Sequence, residues 1–466
     1  MKISVINQQK INEPYKFAVD DYKNYKEMMD YLGYFNLIKK IDLVLSPSNE
    51  LSLFIGNTQF SNIDYLINYT LGQSSMSEEL STSVFAGGKG FSLYKAICSS
   101  FGEAFERYIG IFEFFEVKDE LIYGSYKDLK GMNKNAIHPK TLQNFRHDDF
   151  GPDTFLFDPF TETTEIGWIR GEYYFSGDEV YFPASLILIY YKALSEGEAR
   201  IGYATSGGMT SHFTYEGGKK HGLTEILERN EINLTWYVNK PPKKINLDNV
   251  RNHNLKKFLP YIKENKIAFY LHNQDQTDFH VVTSMSFDPD LTQYSFNTGG
   301  GIDSDIEKAI LHSLEEYAQS INNTRKIVYA PNWITSTFSN YVLSVKPDDD
   351  PKNFKTFYQA VSYYGLEEHK EKLNWYVKGN KEVRLSHLLQ KKNEKDIELM
   401  LKKNHVDPIY FPYKIAEQFQ NIYMSKVYML EYTPAFIAGA PMLGHEKYDK
   451  HLIPGTNFRQ DILPYP

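Results

Sequence analysis

Short apolar-rich runs alternate along this chain with longer stretches patterned at the helical period. A helical patch falls around Tyr22–Leu37. Ile41–Val44 and Leu51–Ile55 read as strands with a Pro-containing turn between them. From Ser92 to about Phe115, Ala96, Ile97, Phe101, Ala104, Phe105 and Tyr108 recur at helical spacing. Residues 118–165 are polar and punctuated by Gly and Pro, and strand-like runs follow at Glu165–Arg170, Glu172–Phe175 and Val180–Tyr191. A second long helix ends near Tyr237, with Pro241-Pro242 barring its continuation. Residues 244–266 look helical, and Ala268–His272, Phe279–Phe287 and Thr292–Phe296 look like strands before a third helix that runs to about Asn323. Residues 340–406 are rich in Lys, Glu, Asp and Asn, which predicts exposed helices. Val427–Leu430 reads as a strand. From Pro434 the periodicity is lost, and the chain ends Ile462-Leu463-Pro464-Tyr465-Pro466. A Pro-rich end stays extended at low entropic cost. It can reach into another part of the fold or fray. The alternation predicts a mixed α/β (α+β) fold.

Three of these stretches share one plan. Gly87-Gly88-Lys89-Gly90 precedes Ser92 and then Glu103-x-x-Glu106-Arg107. Ser206-Gly207-Gly208 precedes Thr214 and then Glu225-x-x-Glu228-Arg229. Gly299-Gly300-Gly301 precedes Ser304 and then Glu316-x-x-Gln319. Each reads as a glycine-rich turn, a helix cap, and a helix with acidic or amide groups three residues apart, on one face. Ser304 with Glu307 has the spacing of a capping box. From cap to first carboxylate is 11, 11 and 12 residues. That is roughly 16–18 Å along a helix axis, too far from the positive helix end for the dipole to stabilise the charge. Carboxylates gathered in this way need cations, and hard oxygen ligands suit Mg²⁺.

Composition narrows the field. The chain has 466 residues, a formal net charge of −8, 36 Tyr, 31 Phe and one cysteine, Cys98. The charge argues against nucleic-acid binding. No internal disulfide is possible, which fits a reducing compartment. The first ten residues have no apolar core of a signal peptide, and the most apolar run, Ala184–Tyr191, is too short to span a bilayer. These features predict a cytoplasmic protein without a membrane segment. Cys98 reads as a buried structural thiol.

Taken singly, a Glu-x-x-Glu pair is what many solvent-facing helices carry. Three copies at matched spacing after glycine stretches need a shared cause. Arg107 and Arg229 follow the acidic pairs, either as phosphate contacts or as holders of the carboxylates. Lys89 can reach a phosphate, yet the stretch around it is no Walker A loop. Ala204-Thr205-Ser206-Gly207-Gly208 loosely resembles a nucleophile elbow, with Gly299-Gly300-Gly301 as oxyanion donors, which is the hydrolase alternative. His445 and His451 read as surface residues.

The same residues resemble the signature of the YcaO-domain family. Gly88-Lys89-Gly90 with Glu103-x-x-Glu106-Arg107, then Glu225-x-x-Glu228-Arg229, then Glu316-x-x-Gln319-Ser320 match it in order. The chain looks most like the stand-alone cyclodehydratase subunit of azole-peptide synthetases of the microcin B17 type. The resemblance covers roughly residues 40–466. It leaves 1–40 without a role, 41–466 as an ATP-dependent domain of YcaO-like fold, a charged helical segment at 340–425 and a Pro-containing tail at 434–466. It implies formation of thiazoline or oxazoline rings from Cys, Ser or Thr of a ribosomally made precursor peptide, with ATP phosphorylating the backbone amide oxygen. Thioamide or amidine formation by the same ATP chemistry, or a non-catalytic scaffold, are its alternatives. It implies Glu103, Glu106, Glu225, Glu228 and Glu316 as Mg²⁺ ligands, and Lys89, Ser206, Arg229 and Gln319 as ATP contacts. Arg107, Pro464 and Pro466 would serve catalysis, the terminal carboxylate acting on the nucleophile. Departures are Gly207 where the family usually has Asn, Ile321 where it often has Arg, with Arg325 nearby, and a tail lacking the first proline. The implied partners are an E1-like leader-binding subunit, an FMN-dependent dehydrogenase and a second copy of this chain.

Overall fold

A computed structural model describes residues 26–31, 37–45, 51, 53–60, 85–146, 157–272, 277–288, 295–328, 345–354, 357–378, 381–390, 393–437 and 440–465. Fourteen strands are described among them, in three sheets. β1 (Ile38–Leu45), β2 (Phe54–Phe60) and β3 (Phe85–Gly90) form an antiparallel sheet in that order. A five-stranded sheet runs β11 (Phe296–Asp303), β10 (His280–Phe287), β9 (Ala268–His272), β8 (Lys243–Asn246), β12 (Glu382–Arg384), with only the β8–β12 pair parallel. The third sheet runs β4 (Ile122–Gly124), β5 (Ile166–Tyr173), β13 (Ile409–Pro412), β14 (Tyr423–Tyr428), β7 (Met209–His212), and β6 (Glu179–Pro183) pairs with β5. The expected mixed α/β class is what is observed.

Each sheet carries one long helix. α1 (Leu93–Val117) packs on β2 and β3, α2 (Tyr215–Tyr237) on β14 and β7, and α4 (Ile306–Val328) on β10 and β11. The five-stranded sheet is covered on both faces. Val282, Phe269 and Leu271 meet α3 (His253–Glu264) and α4 on one side. Val281, Tyr270 and Phe296 meet the last turns of α2, α5 (Phe357–Gly365) and the C-terminal tail on the other. Two covered faces explain why β10 is buried nearly throughout and reads as a continuous run.

Several expectations shift. The glycine stretches at 87–90 and 299–301 are strands, because their glycines serve close packing where turns were expected. A β-carbon on Gly88 would lie 2.1 Å from the Ser100 nitrogen of α1, and one on Gly299 would lie 2.2 Å from the Tyr317 nitrogen of α4. Only the second stretch is a turn, closed by Met209 N–H donating to the Ser206 carbonyl at 2.9 Å, with Gly208 at φ +77°. Ser92 and Thr214 cap as expected. The third cap is Asp305, whose side chain accepts from Glu307 N–H. Glu307 instead accepts from the Arg251 and Asn252 N–H groups at the start of α3. With Asp305 as the cap, all three caps stand eleven residues before their first carboxylate.

Val180–Tyr191 is a strand only to Pro183, after which the apolar run turns into the core. Residues 244–266 hold a strand before the helix. The charged segment is less exposed than its composition predicts: α5 buries Ala360, Val361, Tyr363 and Tyr364 between its charged flanks. The tail is packed, with Ile462, Leu463 and Tyr465 at 5–7% exposure. Pro466, residues 1–25 and the side chain of Arg325 lie outside the described residues. Cys98 is buried, and no helix among the described residues is long and apolar enough to cross a membrane.

Overpacking of a close helix–strand contact is the expected failure here. Gly88→Ala and Gly299→Ala should each lower unfolding free energy by about 3 kcal/mol. Gly131→Ala, where a β-carbon meets nothing within 4 Å, should stay within about 0.5 kcal/mol of wild type. Urea unfolding monitored by tryptophan fluorescence checks all three.

Candidate active site

β3, β7 and β11 each lie at one edge of a different sheet. An edge strand presents unpaired N–H groups that must find acceptors when they are covered. In each copy the first carboxylate of the motif helix provides one. Glu103 Oε2 accepts from Gly87 N–H, Glu225 Oε2 from Gly208 N–H and Glu316 Oε2 from Gly300 N–H, each at 3.0 Å. The same contact thus recurs three times between a glycine and the helix that follows it.

The second position of each motif reaches the next copy. Glu106 accepts from both the N–H (2.6 Å) and the hydroxyl (2.9 Å) of Ser211 on β7. Glu228 lies against β11, where a β-carbon on Gly300 would come 2.6 Å from its Oε1. Gln319 lies against β3, where a β-carbon on Gly87 would come 2.0 Å from its Nε2. Lys89 closes the ring by binding Glu316 Oε1 at 2.6 Å. The five glutamates therefore line one cleft in the order Glu103, Glu106, Glu225, Glu228, Glu316. The cleft is open, since Lys89 and Glu316 keep 25% and 31% of their side-chain surface.

Charge is unevenly neutralised. Arg107 holds Glu103 through Nε (3.0 Å) and one terminal nitrogen (2.6 Å). Burial opposes the Arg107 charge, but Glu103 and Glu106 raise its pKa overall. Burial works against Glu316 too, yet Lys89, Arg229 and Gly300 N–H hold its carboxyl below the ordinary value. Glu106 is pushed up to about 8, chiefly by burial; the two Ser211 bonds pull it down, and Glu103 and Glu225 push it further up. Glu228 is pushed up to about 7 by burial and by Glu316. Two members of the ring thus hold protons near neutrality.

Ser206 is exposed on its turn, and Arg229 lines a narrow cavity with Thr205, Gly207 and Lys426. The hydrolase alternative loses its oxyanion donor, because Gly300 N–H is already taken by Glu316. His445 caps a short helix through Lys447 N–H and meets the Leu430 carbonyl. Pro464 is buried in the tail. Two contributors escaped the sequence reading. Ser211 gives no signal in its strand. Lys426 does, as the lone charge in an otherwise uncharged strand. It is 2% exposed, donates to the Thr205 carbonyl at 2.6 Å, and burial brings its pKa down to about 7.

Among the described residues no three acidic or histidine groups form a ready-made metal cage. Mg²⁺ does not require one. It keeps several waters and binds through one or two carboxylates plus substrate phosphates. Hard oxygen donors with a lysine and two arginines around them fit Mg²⁺ with a polyphosphate.

The fold thus sets three helix-on-sheet copies around a ring of five glutamates, a lysine and two arginines. The chain belongs to the YcaO family: the family model described as YcaO cyclodehydratase, ATP- and Mg²⁺-binding, matches residues 87–410. Solved structures share the fold at low identity. A heterocyclase in complex with substrate and cofactor is 15% identical with a TM-score of 0.67, over 98% of this chain and 60% of that one. This chain therefore spans 60% of the heterocyclase's length. YcaO from Methanopyrus kandleri, bound with AMPPCP and Mg²⁺, is 14% identical with a TM-score of 0.58, over 94% and 96% of the two chains. The E. coli microcin synthetase McbBCD complex is 16% identical with a TM-score of 0.56, over 91% and 96%. No curated protein sequence was matched.

The raised carboxyls set a pH dependence of stability in the metal-free protein. A carboxyl whose folded pKa is raised contributes stability that is complete below its unfolded value near 4.5 and is lost as pH rises through the folded value. Thermal unfolding should therefore fall between pH 5 and about 8 as Glu106 and Glu228 ionise. Glu106→Gln should flatten that slope. An unchanged slope in the variant would place the titration elsewhere.

Proposed function

We propose that this chain is an ATP-dependent cyclodehydratase that forms thiazoline or oxazoline rings from Cys, Ser or Thr of a ribosomally made precursor peptide. The observation that carries the reading is the ring of Glu103, Glu106, Glu225, Glu228 and Glu316 at three edge strands, with Lys89, Arg107 and Arg229 around it. In this reading the five glutamates hold Mg²⁺, while Lys89, Ser206, Arg229 and Gln319 hold the nucleotide. Arg107 keeps Glu103 oriented. Bound Mg²⁺ would neutralise charge on the phosphates.

In the peptide, the side-chain sulfur or oxygen adds to the preceding amide carbonyl carbon. The former carbonyl oxygen takes the γ-phosphoryl group of ATP and leaves as phosphate. The amide nitrogen loses its proton as the C=N bond forms. Lys89 and Arg229 supply preorganised positive charge where the phosphoryl group moves. The tail, through Pro464 and Pro466, brings the terminal carboxylate to orient or deprotonate the nucleophile. The fold likeness to the McbBCD complex, which has also been solved with pro-MccB17 bound, supports a separate E1-like subunit that delivers the peptide. An FMN-dependent dehydrogenase would oxidise the azoline, and two copies of this chain would take part.

Calorimetric titration of Mg²⁺-ATP tests the cleft. Wild type should bind, and Glu103→Gln/Glu106→Gln should bind at least about thirtyfold more weakly, the loss of two charge-bearing ligands. Equal affinity would overturn the assignment. Residues appended after Pro466 should abolish water loss from the peptide by mass spectrometry while leaving nucleotide affinity unchanged.

A further inference from the structure

Beneath the C-terminal tail lies a chain of hydrogen bonds that apolar packing alone does not require. The Tyr465 hydroxyl donates to the Tyr376 hydroxyl at 3.0 Å. Tyr376 in turn meets Thr283 Oγ1 at 2.8 Å and His272 Nε2 at 3.0 Å. The other His272 nitrogen lies 2.9 Å from Thr235 Oγ1. Tyr465 also hydrogen-bonds Thr283 and Thr298. All six residues are at most 5% exposed.

The anchors sit on the elements that build the cleft. Thr235 is on α2, two turns after Glu228. Thr283 on β10 pairs directly with Gly300, and Thr298 lies two residues before it. Tyr376 comes from the short helix Asn374–Lys378 in the charged segment. Burying this many polar groups is costly unless each is satisfied. A satisfied network fixes one geometry where a purely apolar contact would tolerate several.

We propose that Tyr376 is a positioning residue that latches the C-terminal tail, through Tyr465, onto the β10–β11 face directly behind Gly300. The charged segment is then the clamp that sets where the chain's end stands relative to the Glu228–Glu316 side of the cleft. This inference rests on the proposed role of the tail.

The test uses the full chain as wild type, Tyr376→Phe, Tyr465→Phe, the double variant, and a chain with two glycines after Pro466. Either single change removes the Tyr465–Tyr376 bond, along with that residue's own bonds to its other neighbours, so a folding defect in one leaves the other informative. Hydrogen exchange by mass spectrometry should show residues 459–466 exchanging about tenfold faster in both single variants, the scale of one lost buried hydrogen bond. Because the two singles share the Tyr465–Tyr376 bond, the double variant should gain less than the sum of the two single effects, and α1 should be unchanged. Mg²⁺-ATP affinity should stay within about threefold, since no nucleotide contact is touched. ATP turnover should fall alike in Tyr376→Phe and in the extended chain. Unchanged tail exchange in both single variants overturns the latch. Faster tail exchange with wild-type turnover in both Tyr376→Phe and the extended chain supports the latch and overturns the role of the tail in the chemistry.

Discussion

The structure depends on one recurring contact, a glycine N–H on or just before an edge strand bonded to a carboxylate from the helix behind it. Three sheets end in strands whose outer N–H groups face inward, and groups buried there cannot stay unpaired. A carboxylate accepts such bonds more strongly than a neutral group. It can reach only if the helix lies almost on the strand, and at Gly88 and Gly299 any side chain would collide with helix backbone. Glycine, helix and carboxylate therefore come as a unit, and three units meet edge to edge.

The second residue of each motif turns three units into a ring. Glu106, Glu228 and Gln319 each cross to the strand of the next copy. The third crossing is made by an amide, at the place where Lys89 also enters to bind Glu316. A third acid in this position would add like charge beside Glu103, whose charge already engages Arg107. The amide keeps the geometry of the crossing without the repulsion, which gives a physical reason for the break in the repeat.

The ring was visible in the sequence because its parts recur. Matched intervals brought out Glu103, Glu106, Glu225, Glu228, Glu316 and Gln319, and the structure gathers all six. What the intervals could not reveal was the conformation of the glycines. Glycine runs read as turns on local propensity, yet at 87–90 and 299–301 the demand is for tertiary approach, which leaves no local trace. The third cap was misplaced by one residue because Ser304 and Glu307 have the capping-box spacing, while Glu307 serves the start of α3 instead. The charged segment hid its buried helix between solvated flanks. Ser211 and Tyr376 act through partners far away in sequence, at 105 and 93 residues from Glu106 and Thr283, so no window of the chain contains their meaning.

The balance of charge explains the state of the cleft. Five carboxylates face Lys89, Arg107 and Arg229; Glu316 and Glu103 take the ion pairs with Lys89 and Arg107, and a deficit of positive charge is left for the others. Glu106 and Glu228 answer it by retaining protons near neutrality, which lets the ring stay packed when nothing else enters it. Gly87, Gly208 and Gly300 N–H groups are bonded to the first carboxylate of each motif, and Glu106, the second of the first motif, is bonded to the Ser211 N–H of the next copy. The division of labour within each motif follows from this: the first residue holds the glycine of its own copy, and the second, an acid in two motifs and an amide in the third, crosses to the next copy.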